Sequence, residues 1–250
     1  MKYFLSELKY ITNDILSSNV NFNKKNISEL RKNGFTTIEN FLSDEECKLY
    51  KESIDELANH EQAWQDNEGS DSRIFGIEKL APIFNKLFDK NKMYNVFKKY
   101  IYKGELHEFK MAAKMKFTNS NIGSGGGWHR DTINRRQLKF IVYLNDVNDK
   151  NGCFQYIPKS HTVWNKLKFN KSLNKSLSAY RYSEEEIKKL KNDFGVEVLN
   201  LTGKKGTVLI ADTSGIHRGR PMEEGIRYAV TNYMSDVPFS KSLNKVMVKI

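Results

Sequence analysis

Apolar and polar residues follow two rhythms along this 250-residue chain, and the change falls near Gly104. Before it, apolar positions recur at close to a helical period. LSELKYITNDIL predicts a helix over Leu5 to Leu16, and GFTTIENF (Gly34 to Phe41) is a short apolar stretch. Ser43 with Glu46 forms a capping-box pattern that starts an amphipathic helix running to about His60. The polar run QDNEGSDSR, Gln65 to Arg73, reads as an exposed loop, and a further helix is expected across much of Ala81 to Tyr100. Residues 1–104 therefore read as a mostly helical support region.

After Gly104 the apolar runs are short and rich in aromatic and branched residues. FKMAAKMKF, LKFIVYLNDV, CFQYIPKSH, GTVLIADT, RYAVTNYMS and VMVKI are strand-like segments divided by Gly, Asn and Asp turns. Ser183 and Glu186 repeat the capping box and predict a helical insertion near 183–192. The expected class is mainly β with flanking α: a closed or sandwiched core over 105–250, in a single domain spanning 1–250. Regular βαβ alternation is absent, and GSGGGW lacks the spacing of a nucleotide-binding glycine loop.

Composition narrows the function classes. Lys plus Arg number 41 against 30 Asp plus Glu, a net charge of +11, which raises the question of nucleic acid. The positive residues are mostly lysines scattered along the chain, with no RRM, zinc-finger or bZIP pattern, so a solvated surface is the better reading. Cys47 and Cys153 are too few for a disulfide scaffold or a thiolate cluster. No segment is apolar for long enough to span a bilayer, and the opening MKYFLSELKYITN meets charge too early for a secretory core. A cytoplasmic location is expected.

The densest chemistry lies in GGGWHRDTINRR. His129 and Asp131 are two residues apart, so on an extended strand both point to one face. His217, in DTSGIHRGRP, supplies a second imidazole. Two histidines and one carboxylate form the facial set suited to non-haem Fe(II), with open positions left for other ligands. HxD alone recurs by chance; the distant histidine gives it weight.

From Met111 to Tyr233 the chain resembles the phytanoyl-CoA dioxygenase-like branch of the Fe(II)/2-oxoglutarate-dependent oxygenases. The matching texts are WHRD (Trp128 to Asp131), NGCFQYIPKSH (Asn151 to His161), GTVLIADTSGIHRGRP (Gly206 to Pro221) and RYAVTNY (Arg227 to Tyr233). The resemblance implies a double-stranded β-helix, a cupin-like jelly-roll braced by N-terminal helices. It implies iron on His129, Asp131 and His217, and the distal carboxylate of 2-oxoglutarate on Arg227. Dioxygen is the second cosubstrate; succinate and carbon dioxide are the coproducts. Family members that halogenate replace the acidic ligand by a small residue, so Asp131 favours hydroxylation.

The substrate is less legible. Trp128, Arg135, Arg136, Arg218 and Arg220 flank the ligand segments, and Lys114 and Lys116 stand on a neighbouring strand. Arginines at a pocket mouth favour a small polar substrate, anionic or sugar-linked, over a long acyl chain. Asp212 and Thr213 either orient His217 or shape the bend before it. His161 is expected to hold a turn, and Cys153 to be a buried packing thiol. Two other classes stand beside the hydroxylase: a non-catalytic metal-binding or sensory jelly-roll, and a basic nucleic-acid or protein interaction module. Oligomeric state is not encoded in any pattern found.

Overall fold

The computed structural model describes residues 24–88, 90–101, 105–119, 123–132 and 137–249. The helix expected at Leu5 to Leu16 lies outside them, as do Arg135 and Arg136. Ten strands occur among the described residues: β1 (Phe35–Ile38), β2 (Trp64–Gln65), β3 (Asp71–Phe75), β4 (His107–Lys116), β5 (Leu138–Tyr143), β6 (Phe154–Tyr156), β7 (Leu199–Leu201), β8 (Val208–Asp212), β9 (His217–Gly219) and β10 (Ile226–Ser235). They form a large sheet of order β1-β8-β5-β10-β4-β3-β2 and a small one of order β7-β6-β9. Every strand pairing within both sheets is antiparallel. This is the jelly-roll sandwich expected for the chain.

Period-two alternation divides the large sheet into two faces with separate tasks. Leu138, Phe140 and Val142 of β5 pack into one core with Leu30, Tyr50, Ile54 and Phe97 from the helices. Ile141 and Tyr143, in the opposite phase, pack with Phe154 and Tyr156 of β6 in the core between the sheets. The helical layer consists mainly of α1 (Lys24–Asn33), α2 (Asp44–Leu57) and, beyond the short α3 (Ile77–Leu80), α4 (Lys90–Ile101). Ser43 accepts from the Glu46 N–H while the Glu46 carboxylate accepts from the Ser43 N–H, so the expected capping box starts α2.

Several elements differ from expectation. Gln65 to Arg73 is a turn and a strand, not an exposed loop. Asp66 accepts from the Ser70 N–H (2.7 Å) and the Asp71 N–H (3.1 Å), so the polar residues build the turn that joins β2 to β3. With β1, these strands put three members of the large sheet inside the supposed helical support region. The helix expected over Ala81 to Tyr100 is divided: Pro82–Asn85 is a 3₁₀ turn, and α4 follows. A helix the sequence reading missed, α5 (Val163–Ser172), is capped by Thr162. The expected insertion is α6 (Glu184–Phe194), begun by the Ser183 box and ended by Gly195 at φ 62°.

Phe140 is fully buried and meets Phe88 edge-on at 6.5 Å. Phe140→Ala is expected to lower stability by about 3–5 kcal/mol through lost burial and the cavity left behind. A urea midpoint that falls at unchanged m-value checks it.

Candidate metal centre and active site

The segments that carry His129 and His217 meet as neighbouring strands. The His129 N–H donates to the His217 carbonyl and the His217 N–H to the His129 carbonyl, both at 2.9 Å. His129 therefore extends the small sheet beyond β9. The Asp131 N–H donates to the Thr213 carbonyl at 2.9 Å, which fixes the carboxylate as well. His129, Asp131 and His217 each offer a ligand atom, all within 4.8 Å of one another. Nε2 of His129 lies 3.4 Å from Asp131 Oδ1, and Nε2 of His217 lies 3.8 Å from it.

The donor set fits a divalent metal. His129 Nδ1 lies 2.8 Å from the Gly127 carbonyl and His217 Nδ1 lies 2.9 Å from the Gly215 carbonyl. A carbonyl only accepts, so each Nδ1 carries a proton, and a neutral imidazole held this way turns its Nε2 lone pair to the centre. His217 Nε2 is buried with no hydrogen-bond partner, which is the arrangement a ligand atom needs. Burial, reinforced by His129, holds the His217 pKa well below the usual imidazole range against the pull of Asp131. Desolvation raises the Asp131 pKa, yet Lys139 and the two histidines outweigh it and hold the carboxyl well below its usual range. Lys139 Nζ is 2.7 Å from Asp131 Oδ2, which leaves Oδ1 facing the imidazoles.

A cavity of about 170 Å³ adjoins these three residues, and Arg227, Tyr143, Lys139, Thr231 and Arg73 help to line it. Arg227 donates to the Gly152 carbonyl and to Met115 Sδ, while its buried Nε has no partner. Burial lowers its pKa, so an incoming carboxylate would restore interactions the guanidinium has lost. Phe154 stacks on the His217 ring at 5.1 Å and 22°.

The other residues singled out from sequence lie elsewhere. Trp128 is buried against Ile157, Tyr182 and Ile216 and donates to Glu184 at 3.3 Å. Arg218 covers the Trp128 ring, pairs with Glu184 and donates to Gln155 at 2.6 Å. Arg220 pairs with Glu223 at 2.6 Å. None of these three lines the metal cavity. Lys114 pairs with Asp55 on the helical side, and Lys116 is exposed. The share of the anionic-substrate argument that rests on Arg218 and Arg220 is thereby corrected, because β9 alternates and Arg218 points away from the His217 side; Arg135 and Arg136 lie outside the described residues.

Asp212 shapes the bend, accepting from the Ser214 N–H at 2.9 Å and from the Tyr100 hydroxyl at 2.7 Å. Thr213 donates to the Gln137 carbonyl at 3.2 Å. His161 Nε2 lies 3.0 Å from the Arg31 carbonyl and holds its turn to α1. The sequence reading overlooked Lys139, Tyr143, Thr231 and Arg73. The first three carried a signal: Lys139 and Tyr143 share a phase on β5, and Thr231 shares the phase of Arg227 on β10.

Residues 30–227 match the model of the phytanoyl-CoA dioxygenase (PhyH) family, and the chain belongs to that family. It is thus an enzyme of the Fe/2-oxoglutarate-dependent oxygenase type. No curated protein matches it by sequence. Among solved structures it is similar to the 2-oxoglutarate-dependent carbocyclase SnoK from nogalamycin biosynthesis, with a TM-score of 0.65 and 16% identity over 86% of this chain and 85% of that one. HygX from Streptomyces hygroscopicus, crystallised with nickel, 2-oxoglutarate and hygromycin B, gives 0.62 and 14% over 88% and 90%. EctD from S. alaskensis with bound Fe gives 0.64 and 17% over 86% and 76%. At these identities the likeness is one of fold.

Gly125 has φ 87°, and a Cβ there would stand 2.3 Å from His129 Cε1. Gly125→Ala is expected to displace the imidazole and weaken Co(II) binding by about 10–100-fold, measured by titration of the cobalt absorption. Cys153 is fully buried, and burial, helped by Asp149, pushes its thiol up to about 11. Only the thiolate attacks iodoacetamide. At pH 8 the folded protein should therefore resist labelling at Cys153, with the rate rising as pH climbs toward 11 and both cysteines reacting in urea. Intact mass reads the outcome.

Proposed function

We propose that this enzyme hydroxylates a small polar metabolite, consuming 2-oxoglutarate and dioxygen and releasing succinate and carbon dioxide. His129, Asp131 and His217 hold Fe(II), and Arg227 holds the distal carboxylate of 2-oxoglutarate. One observation carries the reading: the unpartnered Nε2 of His217 and the unpartnered Nε of Arg227 belong to residues lining one cavity. A bound Fe(II) with 2-oxoglutarate would supply dioxygen activation, the chemistry the side chains lack.

The chain's own residues orient and balance that chemistry. The Gly127 and Gly215 carbonyls set both imidazoles in the tautomer that presents Nε2. Lys139 occupies one oxygen of Asp131, favouring coordination through the other. Arg227, itself buried, offers a planar, charge-assisted anchor at the cavity wall. Asp131 supplies the carboxylate that halogenating relatives lack, which supports hydroxylation. Cytoplasmic work is part of the same proposal: Cys47 and Cys153 are both free thiols, the state a reducing compartment keeps. Among the described residues no helix is long and apolar enough to cross a membrane.

Anaerobic Fe(II) titration with and without 2-oxoglutarate, followed by the charge-transfer absorption of the chelate, tests the reading. His129→Ala and Asp131→Ala should each abolish the band. Arg227→Ala should retain metal binding and weaken 2-oxoglutarate by about 10–100-fold, the scale of lost hydrogen bonds to a charged group. A native protein that binds Fe(II) and never forms the 2-oxoglutarate band overturns the proposal.

A further inference from the structure

The geometry points to a substrate that reaches the metal through a vestibule beside β2 and β3, and to a hydroxyl-rich molecule there, neutral or amine-bearing, with a sugar unit as the simplest form. This inference rests on the oxygenase reading above and names the substrate class for the same site.

The vestibule has a volume of about 640 Å³, and its walls include Trp64, Asp66, Glu68 and Arg181. It shares Arg73 and Gly125 with the metal cavity. Gly125 contributes no side chain at this junction, and the close approach of His129 Cε1 to its would-be Cβ position forbids one. A molecule in the vestibule therefore faces the His129 side of the centre across bare backbone.

The wall chemistry selects against anions. Asp66, Glu68 and Asp71 set three carboxylates against the guanidiniums of Arg73 and Arg181. Both guanidiniums are already engaged. Arg73 forks onto Asp71 and donates to Ser124 Oγ at 3.0 Å. Arg181 donates to the carbonyls of Gly125 and Gly126. Asp71 is taken up by the Arg73 fork, and Asp66 accepts from Ser70 and from the Asp71 N–H, so the wall keeps one net negative charge. An entering phosphate or carboxylate is repelled, whereas hydroxyl and ammonium groups can use the lone pairs that remain on Asp66 and Glu68. Trp64 remains 38% exposed; the Arg73 guanidinium lies over its ring, 5.4 Å from the centroid, so a sugar C–H face would pack on what that cation leaves open.

The opposite approach is a cleft of about 340 Å³ lined in part by Phe75, Phe239 and Leu243. Its aromatic groups already pack on one another: Phe109 stacks on Tyr233 at 4.5 Å and 8°, with Phe239 edge-on at 4.8 Å. Between that cleft and the imidazoles stand Asp131 and its partner Lys139, whose Nζ lies 4.8 Å from the Tyr233 ring centroid. An apolar substrate entering there meets an ion pair before it meets the metal.

The test uses the Fe(II)- and 2-oxoglutarate-loaded enzyme under anaerobic conditions in a Trp164→Phe background, which leaves Trp64 and the buried Trp128 as fluorophores. Glucosamine, methyl glucoside, glucose 6-phosphate and octanoate are the probes. Glucosamine and methyl glucoside should shift the emission saturably, and Trp64→Ala should remove the response. Glucose 6-phosphate should bind about tenfold more weakly. Glu68→Gln should weaken glucosamine several-fold and leave methyl glucoside little changed. Tighter binding of the phosphate or of octanoate, or no saturable response to either sugar, overturns the inference. The 2-oxoglutarate charge-transfer band in the same samples separates the two claims. Its persistence with a silent Trp64 sinks the vestibule alone, and its absence sinks the oxygenase reading.

Discussion

Two reciprocal backbone hydrogen bonds between His129 and His217 hold the centre together. Side chains two apart on a strand share a face, so this pairing places His129, Asp131 and His217 around one point. Arg130 points the other way and is almost wholly buried. It donates to the Ser160 and Ser214 carbonyls and to the Tyr182 hydroxyl, 2.9 Å away. A buried guanidinium is costly to strip of partners, and Nη2 already has none, so the acceptors on Nε and Nη1 must stay in place. One residue thereby ties the strand carrying His129 and Asp131 to the turn before His217.

The helical layer reaches the same turn from outside. Tyr100 of α4 donates to Asp212, whose other oxygen accepts from the Ser214 N–H. Tyr156 of β6 donates to the Asp212 carbonyl at 2.8 Å. The bend before His217 is thus fixed by a helix, by the small sheet and by its own backbone. Lys139 completes the electrostatics. Desolvation alone would favour a neutral carboxyl at Asp131; the ammonium keeps it ionised, while burial keeps His217 neutral. Both groups stand in the protonation states that coordination requires.

How much of this was legible follows from what carries a periodic or spaced signal. HxD with a later histidine located three residues that the fold brings together, and the two capping boxes located α2 and α6. The two-residue strand β2 is too short to show alternation, and the polar turn at Asp66 disguised the hairpin as a loop. Charge misled twice. Lys139 and Arg73 are charged yet turn into the cavity, because Asp131 and Asp71 meet them there. Arg218 and Arg220 were placed at the mouth on sequence proximity, although both are out of phase with His217. Strand alternation was the better guide, and it also sends Trp128 away from His129.

That alternation is carried furthest along β10. Arg227, Ala229, Thr231 and Tyr233 look into the cavity, whereas Tyr228, Val230 and Met234 sit in the helix-facing core. Adjacent residues on one strand therefore answer to different selective pressures. Mutations at the inward positions beyond Arg227 can redraw the cavity while leaving the helix-facing packing of Tyr228, Val230 and Met234 in place. A lineage built on this strand can change its diet while keeping its skeleton.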